Sequence, residues 1–230
     1  MKKTILAILT LFAISMQGQE ITIFTGSNYT EYSFQNPAPT AENFSAEGMG
    51  SYIEIGYRKK LGKKTKKSIS YNLGFNLNEY NANTGNLANF YSWKTSYFGV
   101  RNGITIPVLY VGNGLEFDLE LGATINAIVH GQQNINGMIY DIRKHEEFYG
   151  LTGWLDYGFA VKYNFNKNIK LAVGYSLSEN YQLSSEDLWH NIYNPNGTEE
   201  IENVKFDNRR LKLGLILKLN NWIKWKNLYT

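Results

Sequence analysis

The sequence predicts an all-β chain folded as an eight-stranded antiparallel up-and-down transmembrane β-barrel. Three observations carry that reading. Apolar and polar residues alternate with period two over stretches longer than most strands; in "LEFDLELGATINAIV" (115–129) Leu115, Phe117, Leu119, Leu121, Ala123, Ile125 and Ala127 face Glu116, Asp118, Glu120, Gly122, Thr124 and Asn126. The connections between such stretches alternate strictly between short and long. Each stretch also carries a glycine on its polar side.

Residues 1–18 come first and read as a secretory signal peptide. Lys2 and Lys3 form a positive head, Ile5 to Met16 is an apolar run, and small residues lead to Gly18. The run is too short to cross a membrane as a helix. Residues 19–230 then form one barrel domain, with no second boundary or internal repeat. The chain has no cysteine, which excludes a lipid anchor at the cleavage site, disulfides and thiol chemistry. Its formal charge is +3; taking Lys2 and Lys3 from the 23 basic residues leaves 21 against 20 acidic ones, or +1. That balance gives no electrostatic reason to expect nucleic acid.

Eight strands follow from the alternation. Segment 20–34 is the faintest, its apolar side marked by Ile21 and Ile23. Segment 49–59 sets Met49, Ile53, Ile55 and Tyr57 against Tyr52, Glu54, Gly56 and Arg58. Segments 69–78 and 94–109 come next; the second has Phe98, Val100, Ile104, Ile106 and Val108 on one side, interrupted by Asn102. Segments 115–129, 155–165, 169–178 and 211–219 complete the set. The short connections are "GKKTKK", "YVGNG" and "NKN"; the long ones lie near 35–47, 79–92, 130–150 and 181–204.

The glycines decide which face is outside. Gly26, Gly56, Gly74, Gly99, Gly122, Gly158, Gly174 and Gly214 all share the polar side. Glycine weakens a strand and offers nothing to solvent, but inside a narrow barrel it makes room for a large neighbour. The polar side therefore points inward and the apolar side meets lipid. Glu54, Glu116, Asp118, Glu120 and Asp156 then point into the lumen, together with Arg58, Arg101, Lys162, Lys170, Arg210, Lys212 and Lys218. A buried charge is expensive unless paired, so these are expected to form a network of ion pairs. A plug is the favoured reading over an ion path or binding site, because eight strands leave an interior that side chains fill.

The segment "ITIPVLY" (104–110), with the signal peptide and the eight glycine-bearing strands, resembles the small outer-membrane β-barrel proteins called porin-family or PorT-like. Ile104, Ile106, Pro107, Val108, Leu109 and Tyr110 match the core of that family's fourth-strand pattern. The resemblance covers the whole mature chain. It implies an integral protein of the outer membrane of a Gram-negative bacterium, surrounded by outer-membrane lipid, and through the PorT-like relatives a part in assisting protein secretion. The end of the chain departs from the pattern. Such barrels usually finish on a terminal aromatic, whereas here "NNWIKWKNLYT" follows the last strand. Trp222, Lys224, Trp225 and Lys226 in it suit a membrane interface.

Sites of chemistry are sparse. His130, His145 and His190 fall in or beside long connections without metal-ligand spacing, so no metal and no cofactor are expected. His190 has Ser184, Ser185 and Asp187 nearby, the ingredients of a lipid-modifying enzyme, but no nucleophile elbow supports it. The chain is read as non-enzymatic. Lys63, Lys64, Lys66 and Lys67 crowd the first short turn, placed to touch anionic headgroups or a protein partner in the envelope. Trp189, among the acids of the last long loop, is a second candidate contact. The expected function is a binding or accessory component with a plugged lumen; a narrow solute channel and a lipid-modifying enzyme are the alternatives.

Overall fold

Strands with one apolar and one polar side can keep their polar sides out of lipid only by closing on themselves. The structure, a computed structural model, describes residues 19–35, 44–61, 68–85, 90–112, 114–144, 151–182, 190–191 and 201–219. Within them lie β1 (Gln19–Gln35), β2 (Phe44–Lys60), β3 (Ser70–Gly85), β4 (Phe90–Val111), β5 (Leu115–Ile135), a short β6 (Met138–Asp141), β7 (Leu151–Asn164), β8 (Ile169–Gln182), a two-residue β9 (His190–Asn191) and β10 (Ile201–Lys218). Strands β1 to β5, β7, β8 and β10 pair antiparallel in sequence order, and β10 pairs back onto β1 to close the ring. The chain is an eight-stranded antiparallel up-and-down barrel.

Register keeps the alternation in phase around the ring. Lys212 on β10 stands level with Gly174 on β8 and Gly26 on β1, while Leu213 beside it pairs with Val173 and Thr25. A slip of one residue would exchange the two faces of a strand, so the phase itself locks the register. Leu211, Leu213 and Leu215 of β10, Leu171 and Val173 of β8, Leu155 and Phe159 of β7, Leu119 and Leu121 of β5, and Phe75 and Leu77 of β3 are all exposed on the outside. The inside holds buried Asn, Ser, Thr, Arg, Lys, Asp and Glu. No helix among the described residues is long and apolar enough to cross a membrane. This barrel is greasy without and polar within, the reverse of a water-soluble one; it is a transmembrane barrel.

The strands extend past the segments that alternation marks. β3 runs on to Gly85, β4 begins at Phe90 and β5 reaches Ile135, so parts of the loops expected at 79–92 and 130–150 are strand. β2 likewise begins at Phe44 and β10 at Ile201. The physical reason is that backbone pairing continues above the apolar belt, where the outer face no longer needs to be apolar and the period-two signal fades. Beyond β5 the chain turns at Asn136 and Gly137, both at positive φ (51° and 89°), and returns as β6 along the upper part of β5. Two positive φ values form the tight turn that suits the twist of a hairpin.

Two bulges bend the wall. One skips Val129 opposite the Ser96/Tyr97 step; the other skips Val108, next to Pro107. Proline has no N–H to give to the ladder, and a bulge is where a barrel strand tolerates it. At the opposite end from β6 the turns are short: Phe165 to Asn168 links β7 to β8, and the Leu61 amide donates to the Ile69 carbonyl at 2.7 Å across the base of the first turn. The lysines Lys63, Lys64, Lys66 and Lys67 lie outside the described residues, as do residues 1–18, Trp189, His145 and the tail with Trp222 and Trp225.

Candidate functional site

Among the described residues the lumen is where the chain gathers titratable groups at depth, and it is built in layers. At the short-turn end Arg58 of β2 reaches three strands around to Asp118 of β5 (Nη2 to Oδ2, 3.7 Å) and sideways to Glu20 of β1 (3.7 Å). Lys162 of β7 also meets Asp118. Lys170 of β8 lies 2.9 Å from Glu116 and 3.9 Å from Glu20, which links three acids and three bases into one chain of ion pairs running from Lys162 to Glu116. Asn72 and Thr105 complete it: the Arg58 guanidinium donates to Asn72 Oδ1 and Thr105 Oγ1, both at 3.0 Å.

Above this cluster Lys212 of β10 meets Glu120 of β5 across the lumen. The next layer centres on Asp156 of β7. Arg101 of β4 approaches its Oδ2 at 3.3 Å and Arg210 of β10 its Oδ1 at 3.6 Å. The Thr124 hydroxyl donates to the same carboxylate at 2.8 Å, and the Ser178 hydroxyl donates as well. Arg101 also lies 4.0 Å from Glu54, which accepts from the Tyr52 hydroxyl, and Arg210 stacks 4.2 Å above the Tyr52 ring. Ionic partners and hydrogen bonds at once are what a buried carboxylate requires.

Two further layers close the lumen toward the long loops. Asn28, Asn76, Asn78, Asn126 and Asn208 are buried together. Asn28 Oδ1 accepts from Arg210 at 3.0 Å and from Asn208 at 3.3 Å, while Asn78 donates to Asn76 at 2.7 Å. Over this amide layer lies an aromatic cap of Tyr80, Tyr97, Trp93 and Trp154. The Tyr80 ring stacks on Trp154 at 5.3 Å and leans on Tyr97 at 5.6 Å.

The structure thus places Glu54, Arg58, Arg101, Glu116, Asp118, Glu120, Asp156, Lys162, Lys170, Arg210 and Lys212 inside the barrel, each buried and each with a partner of opposite charge; Lys218 is half-buried. Sequence reasoning missed Glu20, because Ile21 and Ile23 alone mark the phase of β1. It also missed the amide layer and the aromatic cap. Parity could have found them: Asn76, Asn78 and Tyr80 continue the inward series of β3, and Trp154 lies in phase with Asp156. Glycine supplies the space. A Cβ at Gly74 would stand 2.9 Å from the Glu54 carboxyl carbon, and one at Gly214 only 2.1 Å from the Phe24 ring.

With Glu20 counted, the buried charges among the described residues are six acids and six bases. Such an interior has no net charge to draw in one sign of ion. No group of three or more His, Cys, Asp or Glu among the described residues could hold a metal ion. His130 stands on β5, partly exposed; the side chain of His190 and the residues Ser184, Ser185 and Asp187 lie outside the described set.

No family model matches the chain, and no curated protein matches its sequence. Among solved structures it is similar to Neisserial surface protein A (NspA) at 12% identity, over 86% of this chain and 97% of that one, with a TM-score of 0.43. It is similar to Ail, the attachment invasion locus protein of Yersinia pestis, solved with the heparin analogue sucrose octasulfate, at 13% identity over 87% of this chain and all of that one (100%), TM-score 0.41. The outer membrane protease OmpT of Escherichia coli shares 9% identity over 89% of this chain and 98% of its own, TM-score 0.49. These likenesses concern the course of the chain and carry nothing about activity.

Proposed function

We propose that the protein is a non-enzymatic barrel of the bacterial outer membrane, exported by a signal peptide and plugged by its own side chains. It acts as a binding or accessory component of the envelope, through its long loops or its short turns. The observation that supports this is the lumen: six buried acids answered by six buried bases, roofed by an amide layer and an aromatic cap. Charges so paired and bonded hold a wall rigid, and a conducting pore would need them hydrated and free to exchange partners. What remains to do work is the outside: the loops, the β5–β6 hairpin and the turns. The resemblance of "ITIPVLY" and the strand pattern to PorT-like barrels makes assistance to protein secretion the specific version of the role.

Two measurements test it together. The purified protein in planar bilayers is expected to show no steady unitary conductance; a stable open level would sink the plugged lumen. Tagged in a long loop and extracted from its own membranes in mild detergent, it is expected to migrate in an assembly with other envelope chains. Migration as a bare barrel with nothing co-purifying would remove the accessory role.

A further inference from the structure

Asn102 interrupts the apolar outer face of β4, and the structure puts it at the middle of the lipid-facing belt. Along its strand Phe98 and Val100 lie toward the loops, and Ile104 and Ile106 toward the turns. Its cross-strand neighbours are Leu73 on β3 and Ala123 on β5. The side chain is exposed to the outside. Its Oδ1 accepts a hydrogen bond from the Tyr71 hydroxyl at 2.6 Å, which orients the carboxamide. The two N–H groups of Nδ2 have no partner among the described residues. Hydrocarbon offers no acceptor at that depth, so an amide donor there costs free energy until protein supplies one.

We infer that the outer face of β3, β4 and β5 around Asn102 is an interface within the membrane with a second copy of this chain. A carboxamide is complementary to itself. Across a two-fold axis beside Asn102, each Nδ2 donates to the other copy's Oδ1, whose second lone pair Tyr71 leaves open. Ala123, paired with Asn102, has a side chain of one methyl group, and small residues let two membrane walls approach closely. The aliphatic Leu73, Val100 and Ile104 around it seal the contact from lipid. The inference rests on the reading that the apolar exterior lies in a bilayer, and the pair is incomplete without the second copy.

The chain has no cysteine, so a single one can report the contact. Ala123→Cys and Leu213→Cys are each reconstituted as the full chain in phosphatidylcholine vesicles at low protein-to-lipid ratio and treated with a long flexible bis-maleimide, because the two-fold axis beside Asn102 leaves one copy of position 123 on each side of it, too far apart for a direct disulfide. Leu213 is exposed on β10, four strands from β4 and so on the far side of the ring. Flotation with the vesicles scores insertion separately: a protein that does not float refutes the membrane reading, and with it this one. Among floated protein, the Ala123→Cys dimer is expected about tenfold above that of Leu213→Cys. Asn102→Leu in the Ala123→Cys chain is expected to lower it about tenfold while the barrel keeps its heat-modifiable mobility; Asn102→Ala serves the same end if the leucine disturbs folding. Equal dimer yields at the two cysteines, or indifference to the loss of Asn102, overturn the interface. Capture of a different chain by Ala123→Cys in native membranes overturns the second copy as occupant.

Discussion

Lys212 of β10 and Glu120 of β5 stand three strands apart around the barrel and meet inside it, Nζ against Oε2, with side chains 2% and 6% exposed. Gly174, level with Lys212 on the neighbouring strand, leaves the space its methylenes occupy; a Cβ there would stand 2.7 Å from Lys212 Cε. One ion pair and one missing side chain are parts of the same packing solution.

Lys212→Met leaves Glu120 buried without its nearest cation. Breaking one side of such a pair costs about 3–5 kcal/mol, because the remaining charge keeps its desolvation cost. Replacing both partners removes that cost with the attraction. Urea unfolding in lipid vesicles is expected to show Lys212→Met strongly destabilised and Lys212→Met with Glu120→Leu closer to the native chain. Additive losses in the double variant would refute the pairing as the main contact of either residue.

Gly99 faces the amide layer from β4. A Cβ there would fall 2.0 Å from Asn126 Oδ1 and 2.5 Å from Asn76 Oδ1, both side-chain atoms. Gly99→Ala is therefore expected to lower barrel stability by about 1–3 kcal/mol through overpacking. Asn126→Ala in the same chain should recover part of the loss, since it removes the nearer clash. A native melting profile for Gly99→Ala alone would show that the amides have room to move aside.

Orientation can be read by labelling. Met138 on the β5–β6 hairpin and Lys167 in the β7–β8 turn are both exposed, at opposite ends of the barrel. With long loops outside the cell, Met138→Cys should react with an impermeant maleimide on intact cells. Lys167→Cys should react only after the outer membrane is permeabilised. The reverse pattern would invert the barrel and place the lysine-rich first turn outside.

Much of the lumen was legible because strand parity is a local property. Once glycine marks a face as inward, Glu54, Asp118 and Lys162 must follow it, since residues two apart share a face whatever the tertiary fold. Glu20 obeys the same rule, since it shares parity with Gly26; it was passed over because only Ile21 and Ile23 mark the apolar side of β1. Asn102 stood out as an exception on an apolar face, but its bond to Tyr71 depends on the pairing of β3 with β4.

By itself the sequence determined the class of fold, the number of barrel strands and which side of each strand is greasy, because these rest on neighbours two residues apart. Only the tertiary structure decided who meets whom. Lys212 and Glu120 are 92 residues apart, and Arg210 and Asn28 are 182 apart; the stagger of the closed sheet brings each pair to one height. The same closure decided where strands run past the belt, where Val108 and Val129 bulge, and that Tyr80 and Trp154 roof the lumen. Alternation states a direction for each side chain, and the register of a closed ring supplies the height.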